Sequence, residues 1–232
     1  MKIAIIGAME EEVELIKSNL ADSHIEEYNN YKFYIGKYKN LELIVVVSKI
    51  GKVAAGMLCG TLFSNFENID KVINVGVSGG VAGFVTEGEV VVSEKLSYAD
   101  VDVTAFEYKY GQMAGLPLFY EGDKQMLDLI KSNCYRGAIL TGDSFQTDKE
   151  ATNSIINNYF SNEKVMCFDM ESTAFAQCAY MRKVPFIAIR AISDVIGYND
   201  DQKNRYDNSL EMACEKANKI LVEVLEGING LL

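Results

Sequence analysis

The chain has 232 residues, of which 49% are hydrophobic and 24% are charged, as in folded domains and unlike disordered chains. Lysine and arginine number 22 against 33 aspartates and glutamates, so the formal net charge is −11. Nucleic acids and anionic membranes are bound by basic surfaces, and this charge therefore argues against both as partners.

Short β-branched runs alternate with helical patterns along the whole chain. The predicted strands are 2–7, 31–37, 41–48, 71–77, 89–93, 136–141, 164–170 and 185–192. The predicted helices are 9–19, 51–63, 124–131, 148–159, 171–182 and 207–226, with an extended region over 98–110. The last helix has apolar residues at i, i+3 and i+4 spacing from Leu210 to Leu225, which predicts one buried face.

The apolar strands are unbroken, which indicates a sheet that is covered on both faces. No linker, repeat or low-complexity tract divides the chain. We therefore predict an α/β fold with a single domain over residues 1–232. It is a three-layer αβα arrangement with a central mixed, mostly parallel, twisted sheet flanked by helices. In such sheets, ligands bind at the carboxyl ends of the strands.

Two rare residue types exclude several kinds of site. His24 is the only histidine, which argues against Ser-His-Asp or Cys-His catalysis and against a histidine-built metal site. The five cysteines are well spread without a C-x-x-C motif and are interpreted as buried thiols in a reducing compartment. No segment resembles a signal peptide or has the ~20 apolar residues of a membrane span, so we expect a cytoplasmic protein.

Acidic residues follow the first predicted strand. A phosphate-binding turn would have glycines and a basic residue here, but the chain has Glu10, Glu11 and Glu12. The helix dipole accounts for Glu10 and Glu11, and Glu12 is a candidate site carboxylate. A phosphate ligand is not expected here unless cations come from elsewhere.

Three further strand ends are open to two interpretations each. The run 76–83 misses the G-x-G-x-x-G spacing and indicates either close backbone approach to a ligand or a tight turn. Phe145 could stack on a flat ligand or belong to the core. Glu171 could cap a helix or hold a sugar diol, because each carboxylate oxygen can accept a hydrogen bond from a hydroxyl.

Arg190 lies inside an otherwise apolar strand, where an unpaired charge costs several kcal/mol, so it requires a carboxylate partner or an anionic oxygen. Asp194 follows at the exit of the same strand. Desolvation there would raise its pKa and let it hold a proton near neutrality. The alternative is a structural Arg190–Asp194 pair, which would argue against Asp194 as an acid.

Together these segments resemble the 5′-methylthioadenosine/S-adenosylhomocysteine nucleosidases of the purine nucleoside phosphorylase-like superfamily. The similar segments span nearly the whole chain in the family's order. They are 5–12, 50–55, 74–80, 102–106, 108–112, 141–145, 169–173 and 190–194.

The resemblance implies hydrolysis of the N-glycosidic bond of methylthioadenosine, adenosylhomocysteine and 5′-deoxyadenosine through an oxocarbenium-like ribosyl centre. The products are adenine and the ribose, and no cofactor or metal is implied. By resemblance, Glu12 orients and deprotonates the attacking water. Asp194 donates a proton toward adenine N7, and Glu171 holds the ribose hydroxyls.

The resemblance also implies the remaining contacts with the substrate. Phe145 stacks on adenine, the backbone at Gln146 reads the purine edge, Met170 lies beside the sugar and Arg190 lies near the water. The other substrate-binding residues implied are Met9, Ile50, Ser78, Gly79 and Ser193. The family's homodimer implies that Val103, Phe106 and Tyr108 of a partner cover the 5′-thio tail.

Several positions depart from the family pattern. Val77 replaces the usual Ser or Thr and has no hydroxyl to contact the water. Ser78 is the residue that could make this contact instead. Asp169 replaces a glutamate, and Ala99 replaces a histidine. After Asp194 the correspondence is loose, so Tyr206 is only weakly assigned to the pocket.

Three alternative functions remain open from the sequence. The first is hydrolysis of another 5′-substituted nucleoside of the futalosine type, and the second is phosphate-dependent phosphorolysis. The third is non-catalytic binding of a purine nucleoside. The acidic turn at Glu10–Glu12 favours water over phosphate as the nucleophile. Binding alone needs no water-activating base, so the set Glu12, Glu171 and Asp194 argues for an enzyme.

Overall fold

The computed structural model describes residues 1–198 and 202–232. Its strands are β1 (Lys2–Gly7), β2 (Ala21–Tyr28), β3 (Tyr31–Tyr38), β4 (Leu41–Val47), β5 (Lys71–Gly80), β6 (Val90–Tyr98), β7 (Tyr120–Glu121), β8 (Tyr135–Thr141), β9 (Val165–Asp169) and β10 (Phe186–Val195). Its helices are α1 (Glu10–Ser18), α2 (Lys52–Asn65), α3 (Lys124–Leu129), α4 (Lys149–Tyr159), α5 (Ser172–Arg182) and α6 (Gln202–Asn229). A short 3-10 helix covers Thr104–Phe106.

The strands form one mixed sheet in the order β10-β6-β8-β9-β5-β1-β4-β3-β2. Parallel pairs join β4, β1, β5 and β10 in the centre, and β6, β8 and β9 beyond them. β10 also pairs with β5, so that β5, β10, β6, β8 and β9 close into a ring. This closure brings the carboxyl ends of β5, β9 and β10 together.

Helices cover the sheet from both sides, because its strands are apolar on both faces. On one side, Ala55 and Leu58 of α2 pack with Phe175 of α5 against the sheet. On the other side, α1, α3 and α6 pack on β1, β4, β5 and β10. The apolar stripe of α6 includes Ala213, Ala217, Leu221 and Val224, which are buried as their spacing predicts.

The predicted α/β fold with a helix-flanked mixed sheet is confirmed. The structure adds β2, which is not predicted because its residues are polar on both faces. It is an edge strand against β3, where charged side chains remain in solvent. The structure also adds the two-residue β7, and α6 begins at Gln202 instead of Asp207. Within the described ranges, every helix is too short or too polar to cross a membrane.

Candidate active site

A cavity of about 530 Å³ opens at the carboxyl ends of β1, β5, β9 and β10. The first turns of α6 and the loop after β8 complete its wall. The wall is formed by Ala8, Met9, Glu12, Ile50, Val77, Ser78, Gly79, Phe145, Thr147, Phe168, Met170, Glu171, Ser193, Asp194, Lys203, Tyr206 and Asp207. The cavity lies where an α/β sheet is expected to bind its ligand.

Glu12 turns back over the N-terminus of its own helix. Its Oε2 accepts hydrogen bonds from the backbone N–H groups of Ala8 at 2.6 Å and Met9 at 3.0 Å. Its Oε1 accepts from the backbone N–H of Val77 at 3.1 Å. Burial raises the pKa of Glu12, although Arg190 and these three N–H groups oppose the shift. A raised pKa makes this carboxylate a stronger base than an exposed one.

Glu12 approaches Arg190 across Gly76 of β5. A β-carbon at position 76 would lie 2.5 Å from Oε1 of Glu12 and 3.2 Å from Nη1 of Arg190. A side chain there would displace one of the two charged groups. Of the run 76–83, residues up to Gly80 are the end of a strand that allows close approach, and the remainder enters a turn with Gly83 at a φ of 90°.

Arg190 is buried beneath the cavity, and its partner is Asp169. Nε of Arg190 donates to Oδ2 of Asp169 at 2.9 Å, and Nη1 donates to the carbonyl of Ile189 at 3.1 Å. Nη2 donates to Oδ1 of Asn74. Asp169 also accepts from the hydroxyl of Thr141 at 2.6 Å. The sequence required a carboxylate partner or an anionic oxygen for this arginine, and the structure provides the carboxylate of Asp169 in a buried pair with these extra hydrogen bonds.

Glu171 is at the N-cap position of α5, but its carboxylate points toward α2. Its Oε1 accepts from the backbone N–H of Gly51 at 2.8 Å. Asp169 takes the capping role, since its Oδ1 accepts from the N–H of Ser172 at 3.2 Å. Burial and the neighbouring charge of Asp169 raise the pKa of Glu171 to about 7.

Asp194 is completely buried at the end of β10. Its Oδ1 accepts from the hydroxyl of Ser193 at 2.7 Å, and its Oδ2 accepts from the amide of Gln202 at 2.6 Å. Burial raises the pKa of Asp194, as its strand-exit position predicts. Because Arg190 pairs with Asp169, the structural Arg190–Asp194 pair considered from the sequence is not formed.

Three aromatic residues lie on the cavity wall, and two of them, Phe145 and Tyr206, are in contact with each other. Phe145 is 46% exposed, and its ring meets that of Tyr206 edge-on, with centroids 5.8 Å apart at 85°. The hydroxyl of Tyr206 donates to Sδ of Met9 at 3.4 Å. The exposed face of Phe145 can therefore stack on a planar ligand inside the cavity.

Comparisons with known proteins agree with this geometry. The phosphorylase superfamily matches residues 2–226. The 5′-methylthioadenosine/S-adenosylhomocysteine nucleosidase of Exiguobacterium sp. is 38% identical over 97% of both chains. The enzyme of the same name from Bacillus velezensis is 35% identical over 99% of this chain and 100% of the relative. The chain belongs to the 5′-methylthioadenosine/S-adenosylhomocysteine nucleosidase family, within the phosphorylase superfamily.

Solved structures of this family superpose closely on the chain. The S-adenosylhomocysteine nucleosidase of Streptococcus pyogenes in complex with 5-methylthiotubericidin is 39% identical, with a TM-score of 0.91 over 97% of this chain and 96% of that one. The S. pneumoniae nucleosidase with the transition-state inhibitor MT-ImmA is 34% identical, with a TM-score of 0.91 over 98% and 100%.

Most residues that the family resemblance assigns to the site lie on the cavity wall. They are Met9, Glu12, Ile50, Ser78, Gly79, Phe145, Met170, Glu171, Ser193 and Asp194. Arg190 and Gln146 are outside the wall formed by the described residues. The side chain of Gln146 donates to the hydroxyl of Ser144, and its backbone carbonyl accepts from Gln202 at 2.7 Å.

The segment expected to reach a partner lies away from the cavity of its own chain. Val103 and Tyr108 are half-buried, and Phe106, in the 3-10 helix, is 76% exposed. In the described chain these residues do not line the cavity. The ring of Phe106 is therefore available to another molecule.

Several residues of the cavity wall are not predicted from the sequence: Ala8, Thr147, Phe168, Lys203 and Asp207. Tyr206, weakly assigned from the sequence, also lies on the wall. Lys203, Tyr206 and Asp207 have i, i+3 and i+4 spacing and share one face of α6, but the polar first turn has no apolar periodicity that predicts this face. Val77 contacts Glu12 through its backbone N–H, and that contact does not depend on a side-chain hydroxyl.

Among residues 1–198 and 202–232, His, Cys, Asp and Glu side chains form no group of three or more that could hold a metal ion.

Proposed function

We propose that this chain is an N-glycosidase with a single catalytic domain over residues 1–232. It hydrolyses 5′-methylthioadenosine and S-adenosylhomocysteine, and also 5′-deoxyadenosine, and it releases adenine. The observation that carries the proposal is the convergence of Glu12, Glu171 and Asp194 on one cavity beside the exposed ring of Phe145. Family membership supports the same reaction.

Asp194 is proposed as the general acid. Burial raises its pKa, which favours the protonated form that an acid requires. Adenine has an acceptor, N7, next to its amino group on one edge. Protonation of N7 withdraws electrons from the glycosidic nitrogen and makes adenine a better leaving group.

Glu12 is proposed as the general base that activates water. The Arg190 guanidinium lowers its pKa, in opposition to burial, whereas no such cation contributes to Asp194 among the described residues. The guanidinium thus favours the ionised form of Glu12, and no described cation does so for Asp194. This difference is what an acid and a base in the same site require.

Glu171 and Phe145 are proposed to hold the substrate. The Glu171 carboxylate receives one backbone N–H, from Gly51, and retains acceptor sites for the two ribose hydroxyls. Phe145 offers its ring face to adenine, and Met170 lies on the same wall. Met9, Ile50, Ser78, Gly79 and Ser193 complete the proposed contacts, with Gln146 at the purine edge and Arg190 beneath the water-activating carboxylate.

The charges on the wall favour water as the nucleophile. Inorganic phosphate is held by clustered cations. Within the described ranges, Lys203 is the only cationic residue on the wall, against the carboxylates of Glu12, Glu171, Asp194 and Asp207. Arg190 is already engaged with Asp169.

Release of adenine from 5′-methylthioadenosine, followed by chromatography with and without phosphate, tests this function. Equal release in both, with free 5-methylthioribose as the other product, is expected. Release that requires phosphate would make the chain a phosphorylase. Binding without any release would leave only a nucleoside-binding role.

We further propose that a second copy of the chain covers the apolar face of α2 and α5. Val53, Met57, Tyr180 and Met181 are exposed on these packed helices. A helix that is apolar on all sides, as α2 is, normally has both faces buried. In such a dimer, Val103, Phe106 and Tyr108 of one copy would border the cavity of the other.

We also expect the enzyme to act in the cytoplasm. Its five cysteines are free thiols, a usage typical of reducing compartments. Cell fractionation with an antibody against the chain tests this expectation.

A further inference from the structure

Gln202, the first described residue of α6, is not on the cavity wall, but its side chain extends to Asp194, which is. Its Nε2 donates to the backbone carbonyl of Gln146 at 2.7 Å and to Oδ2 of Asp194 at 2.6 Å. Its Oε1 accepts from the backbone N–H of Gly197 at 3.3 Å. The residue is 5% exposed. The orientation of the amide follows from its partners, since the first two are acceptors and the third is a donor.

The two acceptors of this amide are the groups that the proposed function assigns to the purine edge. Adenine presents there an amino group with two N–H donors beside the N7 acceptor. A carboxamide NH2 is also a planar nitrogen with two N–H donors. In this structure, therefore, the Gln202 amide meets the hydrogen-bonding demands that the adenine amino group would meet.

We propose that the Gln202 carboxamide occupies the position of the purine amino group and must leave when the base enters. Gln202 is then an internal competitor for 6-aminopurines. This inference rests on the proposed function for the assignment of the purine edge. It also accounts for the place of Gln146, whose carbonyl is covered by Gln202 and is absent from the wall formed by the described residues.

The amide also affects the proton on Asp194. An oxygen that accepts an N–H bond from Gln202 does not present a proton in that direction. The acid can therefore direct a proton at N7 only after Gln202 has moved. Substrate entry and arrangement of the acid are coupled through this one side chain.

In competition of this kind, the apparent affinity for adenine is the intrinsic affinity multiplied by the fraction of molecules in which the position is free. Removal of the side chain should therefore tighten binding. A residue that merely positions Asp194 would have the opposite signature, since its loss would lower kcat and leave adenine binding equal or weaker.

Calorimetric titration of adenine into Gln202→Ala and Gln202→Met tests the proposal. Methionine keeps the length of the side chain but has no N–H donor. We expect both variants to bind adenine about three- to tenfold more tightly than the unsubstituted chain. We also expect a lower KM for methylthioadenosine, with kcat within about twofold. Asn204→Ala, an exposed position on the same turn of α6, is the matched control and should bind as the unsubstituted chain does.

Equal or weaker adenine binding by the folded variants would overturn the proposal. If Gln202→Ala fails to fold, Gln202→Met decides. The outcome is separable from that of the proposed function, because adenine binding is measured without turnover. Adenine release by the unsubstituted chain with no tightening in the variants would reject only the competitor. Tightening without any release would reject only the nucleosidase, and no adenine binding by any form would reject both.

Discussion

At the residue scale, the carboxylates of the cavity differ in their surroundings more than in their chemistry. Glu12 has three backbone N–H donors and a nearby guanidinium, whereas Asp194 has a hydroxyl and an amide. Glu171 has one backbone N–H and a like-charged neighbour, Asp169. Each surrounding changes the free energy of ionisation of its carboxylate, and such a difference is what the proposed roles of acid, base and sugar-binding group require.

Asp194→Asn should lower kcat for methylthioadenosine by about 10²–10⁴, because an amide cannot deliver the proton to N7. The fold should persist, since the two side chains have nearly the same shape. Steady-state kinetics and thermal unfolding check both expectations. Asp128→Asn, at an exposed position on α3, is the control. A near-normal rate for Asp194→Asn would remove this residue from the acid role.

Glu12→Gln should lower kcat by about 10²–10⁴ through loss of the base. It should also lower the melting temperature, because the amide nitrogen faces backbone N–H donors where a carboxylate oxygen accepted them. Glu11→Gln, exposed in the same helical turn, should change neither quantity. Unchanged kcat in Glu12→Gln would contradict the assignment.

Glu171 should make the chain less stable as the pH rises toward neutrality. Its pKa is about 7 in the folded chain, against an ordinary value of 4.5, so the folded state binds more protons between these values. The free energy of unfolding contributed by this group therefore falls as the pH rises through that interval. In Glu171→Gln, urea unfolding at pH 5 and pH 7.5 should show a smaller fall. Glu27→Gln, on the exposed strand β2, should keep the original fall, and an equal fall in both variants would refute the prediction.

At the element scale, the site depends on how β5 and β10 pass each other. The two strands pair in parallel, and Gly76 lies opposite Arg190 in the register. Because position 76 has no side chain, the Glu12 carboxylate carried by α1 can approach the guanidinium carried by β10. The pairing of β5 with β10 thus determines that the positive charge of Arg190 lies near Glu12.

Gly76→Ala should lower kcat by about a hundredfold, because the new β-carbon would displace Glu12 by about an ångström. It should also destabilise the fold by about 1–3 kcal/mol through overpacking. Gly230→Ala is the matched control, since the nearest atoms to its β-carbon lie at 3.5 Å. Kinetics and denaturant unfolding of both variants provide the measurement. A Gly76→Ala variant with normal kcat would show that this approach is unnecessary.

At the scale of the whole molecule, the exposed apolar face of α2 and α5 predicts a dimer. The unsubstituted chain should have twice the monomer mass by light scattering at micromolar concentration. Met57→Glu should be monomeric, since a buried unpaired charge opposes association. Its activity should fall, because the partner's loop no longer borders the cavity. Met212→Glu, at an exposed position on α6, is the control and should remain dimeric. A monomeric unsubstituted chain would contradict the proposal.

The sequence determined the class of fold and most of the strand ends. Unbroken apolar runs such as 71–77 and 185–192 predict strands of a covered sheet, because side chains on both faces of such a strand must be buried away from water. Glu12, Phe145, Glu171 and Asp194 became candidates because each lies within five residues after such a run, and the family resemblance then supplied their expected roles. The buried Arg190 required a carboxylate or an anionic oxygen, and the structure provides a carboxylate.

Only the tertiary structure decided which carboxylate pairs with Arg190 and which side chain donates to Asp194. Asp169 and Arg190 are 21 residues apart and meet through the closure of the sheet around β5, which local patterns do not encode. Tyr206 reaches the cavity, and Gln202 reaches Asp194, because α6 begins about a turn earlier than its apolar stripe. That first turn is polar, so apolar periodicity predicts no buried face there. Its contacts follow from the packing of the whole helix. Short-range physics thus determined the elements, and long-range packing decided their hydrogen-bond partners.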